Sequence, residues 1–254
     1  MLNNLLCPWD APTWFFFSEN VPNLLLYSHL TAILSSFTVG LIIFLKNKKQ
    51  TEAKLMSILF ILFSLWIVID LILWATNRTD VVMFFWSIQI LVEPLIFVIA
   101  FFLFNSYSKG RQPKFWFNLL MVIILIPFII FIPTNLTLTG INTYDCVASE
   151  GTWSIYYSYF IEILSILGIF FIAIRKIISI DNGRERAKVI YFGLGLLAFL
   201  IAFSSGNIIG SITGDWDLAQ YGLFGMPIFV GFLTYLIVEY KIYNLNILGA
   251  QALI

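Results

Sequence analysis

The chain has 254 residues, 60% of them hydrophobic and only 11% charged, with 14 basic and 14 acidic side chains. So few charges do not cover a soluble domain of this length, and zero net charge offers no field for a nucleic-acid partner. The composition is that of an integral membrane protein, whose first partner is the lipid bilayer.

The opening stretch, MLNNLLCPWDAPTWFFFSEN, has no Lys or Arg and so lacks the basic start of a signal peptide. Pro8, Asp10, Pro12 and Glu19 interrupt it, and Trp9 and Trp14 favour the headgroup level. Residues 1–23 are therefore expected to lie on the outer membrane surface. Seven windows long enough to span follow, at roughly 24–45, 55–75, 81–104, 115–132, 154–174, 189–213 and 221–239. The first connection carries Lys46, Lys48, Lys49 and Lys54, and the third carries Lys109, Arg111 and Lys114. The fifth carries Arg175, Lys176, Arg184, Arg186 and Lys188, and Lys241 follows the last window. Only Arg78 falls on the other side, so thirteen of the fourteen basic residues share one face. The positive-inside rule then places the N-terminus outside and the C-terminus in the cytoplasm.

The expected fold is an all-α bundle of seven transmembrane helices over 24–239. Residues 240–254 would form a cytoplasmic exit and the start of a further helix. Trp74, Trp86, Trp153 and Trp216 mark outer helix ends, and Trp116 an inner one. Cys7 and Cys146 both fall on the outer, oxidising face. They form either one disulfide that pins the N-terminal segment over the bundle or two unpaired thiols.

Small residues recur every fourth position in the sixth window, at Ala198, Ala202, Gly206, Gly210 and Gly214. Such a line lets another backbone approach closely, as plain helix packing or as a sliding contact. Gly222, Gly225 and Pro227 open the seventh window with a bendable turn, and Pro94 is expected to kink the third. Glu239 and Lys241 at the base of the seventh window would complete a signal-transmitting helix. YSHLTAILSSFTVGLIIFLK (27–46) aligns without gaps on YSYFIEILSILGIFFIAIRK (157–176), with seven of twenty positions identical. That suggests three helices, a linker helix and three more in the same orientation.

Asp70, Glu93 and Glu162 fall inside spans, where a charged residue costs about 2.5–3.5 kcal/mol on insertion scales. Such residues face a cavity or a partner. With His29, Gln89 and Asn207 they all lie in the outer half of their helices or near the middle. An outward-open polar pocket made of His29, Asp70, Gln89, Glu93, Glu162 and Asn207 is expected. Gln89 and Glu93, four apart, share one helix face. No metal or cofactor is expected: one His and two outer Cys do not build a haem, zinc or iron–sulfur site. The seventh window has no interior lysine for a retinal Schiff base, and no HExxH, GxSxG or phosphate loop occurs.

The closing stretch, QYGLFGMPIFVGFLTYLIVEYKIYNLNILGAQALI, resembles the end of the seven-helix sensor region of one group of bacterial membrane histidine kinases. LLCPWDAPTWFFFSENVP followed by YSH, and GSIT and DW before the seventh window, are similar to the same proteins. The resemblance implies that GAQALI begins further transmembrane helices. It also implies that a dimerisation helix with a phosphorylated histidine and an ATP-binding domain belong to the full-length, homodimeric protein. His29 is the only histidine, so the chain is expected not to be an enzyme by itself. The leading expectation is a sensory input domain for an unknown signal ligand in the cell (inner) membrane. The alternatives are a small-solute or proton-coupled transporter with a 3+1+3 helix repeat, and a membrane assembly partner.

Overall fold

The computed structural model describes residues 6–13, 17–19, 21–110, 115–213, 216–240 and 242. Gly214, Lys241 and residues 243–254, where the further helix is expected, lie outside the described residues. The helices are α1 (Asn23–Lys46), α2 (Thr51–Ala75), α3 (Thr79–Lys109), α4 (Phe115–Phe131), α5 (Thr152–Ser179) and α6 (Gly183–Thr213). A single turn, α7 (Trp216–Ala219), then leads through a 3-10 segment (Gln220–Phe224) into α8 (Gly225–Tyr240).

Local chemistry sets several of these limits. Pro22 precedes the first helical residue of α1, where its missing N–H costs nothing. Gly110 closes α3 in the left-handed region at φ 61°, its N–H donating to the Ser106 carbonyl at 2.9 Å. Pro94 lies inside α3, which runs as one helix on both sides of it.

Among the described residues, five helices are long and apolar enough to cross a membrane: α1, α2, α3, α6 and the combined Trp216–Tyr240. A shorter apolar helix covers Val122–Phe131. Large apolar side chains such as Leu34, Phe37, Ile163 and Phe171 stand exposed on the outer faces, which suits contact with lipid rather than water. The chain is a multi-pass membrane protein.

The helices form a ring in the order α1, α2, α3, α5, α6, α8, and α8 closes it against α1. α4 stands outside the ring beside α3, and the Tyr157 hydroxyl of α5 donates to its Ile124 carbonyl at 2.8 Å. The middle of the ring is filled by buried aromatic rings in continuous contact. Trp66 meets Phe203 edge-on at 4.9 Å between centroids, Phe63 meets Phe199 at 5.0 Å, and Phe199 stacks on Phe229 at 6.2 Å. Phe192 and Phe104 continue the column to Tyr107, close to the lysine-rich end.

Ring closure depends on small residues. A Cβ on Gly206 would stand 2.6 Å from the Ala219 carbonyl oxygen, and one on Gly222 would stand 2.5 Å from the Ala202 carbonyl oxygen. Gly225 likewise meets the Ala202 methyl, and Gly210 lies under the Trp216 indole. The small-residue line of α6 and the glycines that open α8 are therefore the two sides of one contact. Gly195, outside the expected line, extends it by admitting Phe232 of α8.

One element departs from the all-α expectation. The loop after α4 holds an antiparallel hairpin, β1 (Leu138–Asn142) and β2 (Val147–Glu150). Asn142 organises its turn, accepting from the Tyr144 N–H at 3.0 Å and donating to Asp145 at 2.7 Å. Cys146 at the turn's end is bonded to Cys7 in a disulfide. The Cys7 N–H also donates to the Asn77 carbonyl, and the Asn77 amide to the Trp9 carbonyl. N-terminal segment, hairpin and α2–α3 connection are thus tied together at one end of the bundle, here called the disulfide end.

Gly222→Ala and Gly206→Ala each force two backbones apart and are expected to lower stability by about 1–3 kcal/mol. Gly231→Ala on α8, where an added Cβ meets nothing within 4 Å, should leave stability unchanged or raise it by less than about 1 kcal/mol. Thermal unfolding of the three variants in detergent checks the contrast.

Candidate functional site

A cavity of about 590 Å³ opens at the disulfide end, inside the ring. Its mouth is edged by the exposed Asp145, Thr213 and Asp217, and its floor is formed by Trp66, Phe203 and Glu93. The volume falls in the range of small-molecule sites.

α2 presents Trp66, Asp70 and Trp74 to the cavity, and their spacing of four puts them on one helix face. Trp86, Gln89 and Glu93 line it from α3 and Ser158 and Tyr159 from α5, while Phe203 and Asn207 line it from α6. Trp216, Asp217 and Gln220 complete the wall from α7 and the 3-10 segment, and Trp9 and Glu150 cover it from the tied N-terminal segment and β2.

The six residues expected to form the pocket resolve into two groups. In the first, Asp70 joins three helices: it accepts from His29 Nε2 of α1 at 2.9 Å and from the Gln89 amide of α3 at 2.9 Å. The opposite ring nitrogen of His29, Nδ1, lies 2.8 Å from the Leu25 carbonyl oxygen. The imidazole is fully buried behind Asp70 and does not line the cavity, which corrects the expectation that it would.

In the second group, Glu93 accepts from the Asn207 amide at 2.7 Å and from the Trp66 indole N–H at 3.3 Å. Glu162 is fully buried beneath this wall, another departure from the expected lining. Its carboxyl lies against that of Glu93 and accepts a short hydrogen bond from Ser204, and its Oε1 has no donor. Ala198 is half-buried and Glu239 exposed, and neither borders the cavity.

Near the mouth, the Trp86 indole N–H donates to Glu150 Oε1 at 2.8 Å. Burial pushes the Glu150 carboxyl above its usual range, and the indole bond opposes that shift. The sequence does not single out Glu150, Trp66 or Ser204 as site residues. For Trp66 a signal existed, since it stands one turn from Asp70 on the same face.

Asp70→Ala leaves the His29 and Gln89 donors buried without acceptors and is expected to cost about 1–3 kcal/mol of stability, read by thermal unfolding. The pH profile carries a second expectation. The folded chain holds the Glu150 proton to higher pH than the unfolded chain, whose glutamate titrates near 4.3. Folding therefore loses stability as pH rises from about 4.3 through the raised folded value. Glu150→Gln should flatten that decline, measured by denaturation between pH 4 and 8.

No protein-family model, curated protein or solved structure matches the chain.

Proposed function

We propose that this chain is the sensory input domain of a membrane histidine kinase. It would have seven spans, the disulfide end outside the cell and the lysine-rich end in the cytoplasm. A signal reaching the cavity from outside or from within the membrane is passed through α8 to a cytoplasmic kinase part. The observation that carries the proposal is that the start of the α8 segment forms one wall of the cavity. Trp216, Asp217 and Gln220 line it, and the same segment rests on α6 through contacts that tolerate no side chain. A ligand that prefers one seating of that segment biases the whole of α8, by its differential affinity for the two arrangements.

One observation favours a second reading, a transporter built from a 3+1+3 repeat. Exchanging α1, α2, α3 for α5, α6, α8 leaves the neighbour pattern of the ring unchanged, with α4 outside it. Transport requires a path past the aromatic column, so solute flux through proteoliposomes would favour this reading over sensing.

Spin labels at Ile178 and Val238, both exposed near the lysine-rich end, test the sensory proposal. Disturbing the cavity floor with Glu93→Gln or Trp66→Ala is expected to shift the label distance by about 1–2 Å or to redistribute it between two values. An unchanged distance distribution in both variants would sink the proposal.

A further inference from the structure

The cavity has a chemical bias that names the class of molecule it takes. Asp70, Glu93, Asp145, Glu150 and Asp217 line it, and among the described residues no Lys, Arg or His does. Asp70 is paired with His29, but none of the other four forms an ion pair among the described residues. Behind Glu93, the fully buried Glu162 adds a second carboxyl against it. Carboxyl groups gathered in a poorly solvated site without a cation resist ionising together, and a bound cation relieves that cost.

Aromatic side chains also contribute to the wall. Trp9, Trp66, Trp74, Trp86 and Trp216 line the cavity together with Tyr159 and Phe203. Among aromatic rings, indole faces attract a desolvated organic cation most strongly. Among the described residues no group of three His, Cys, Asp or Glu side chains converges as a metal site requires. The acids are instead distributed along a cavity large enough for a small organic molecule.

We propose that the cavity binds an organic cation, a protonated amine on an apolar body, with its ammonium head beside Glu93 and its body between the indoles. The inference rests on the reading of the cavity as a ligand site, and it names the ligand's class.

The test uses the full chain in lipid nanodiscs at pH 7. Three probes of similar size are titrated against tryptophan fluorescence and thermal stability: phenethylammonium, 2-phenylethanol and 3-phenylpropionate. Saturable binding of phenethylammonium is expected, at least tenfold tighter than that of the neutral alcohol, with no binding of the carboxylate. Glu93→Gln should weaken phenethylammonium at least tenfold and leave the alcohol unchanged. Should that variant not fold, Asp217→Asn at the exposed mouth should weaken the cation roughly threefold. Equal binding of all three probes, or binding of none, overturns the inference. Equal binding would still leave a ligand cavity. Cation binding without any change in the Ile178–Val238 label distance would instead uphold the inference and overturn the sensory reading.

Discussion

The backbone-to-backbone contact between α6 and the segment opening α8 governs the rest of the structure. Ala202, Gly206 and Gly210 on one side and Ala219, Gly222 and Gly225 on the other bring the two chains close enough that carbonyl oxygens fill the space of missing side chains. In lipid there is no hydrophobic drive between helices, so such close packing is what holds them. Closing the ring there places Trp216 and Asp217 opposite α2 and α3, and it traps the aromatic side chains of α2, α3, α6 and α8 in the middle.

Those aromatic side chains give the cavity a bottom. Trp66 and Phe203 belong both to the cavity floor and to the column, which continues through Phe63, Phe199 and Phe229. Rings in edge and stacked contact add about 0.5–1.5 kcal/mol per pair beyond simple burial. The polar residues are gathered above this column or in its upper wall, each holding at least one neighbour: Asp70 with His29 and Gln89, Glu93 with Asn207, Glu162 with Ser204.

Much of this was legible in the sequence, and the remainder failed for physical reasons. The apolar windows anticipate the helices to within a few residues, apart from longer ends on α3, α5 and α6. Those ends carry polar residues that a hydropathy window excludes, although the helix continues past the apolar stretch. Depth along each helix placed Asp70, Gln89, Glu93 and Asn207 at the cavity. It could not distinguish lining from burial, which is why His29 and Glu162 were expected in the wall but lie behind it. The same ambiguity affected the tryptophans. Trp74 and Trp216 stand at helix ends as expected yet also face the cavity, Trp86 lines it from about two turns inside α3, and Trp153 packs on Phe128 and Phe131 of α4. A helix with lipid on one side and an apolar core on the other has little polarity contrast to report its rotation. The hairpin was missed because two strands of five and four residues with a mixed pattern look like any polar loop.

The depth of Glu93 has an electrical consequence. It lies fourteen residues after Thr79, the start of α3. At 1.5 Å per residue that is about 21 Å along a helix of 31 residues, close to its middle. A unit charge crossing the whole membrane exchanges about 2.3 kcal/mol per 100 mV, so one that settles beside Glu93 exchanges a sizeable fraction of that. In the proposed orientation, an inside-negative membrane pulls a cation toward this carboxylate and depolarisation releases it. Occupancy of the cavity would then follow the energised state of the membrane as well as the concentration of the ligand.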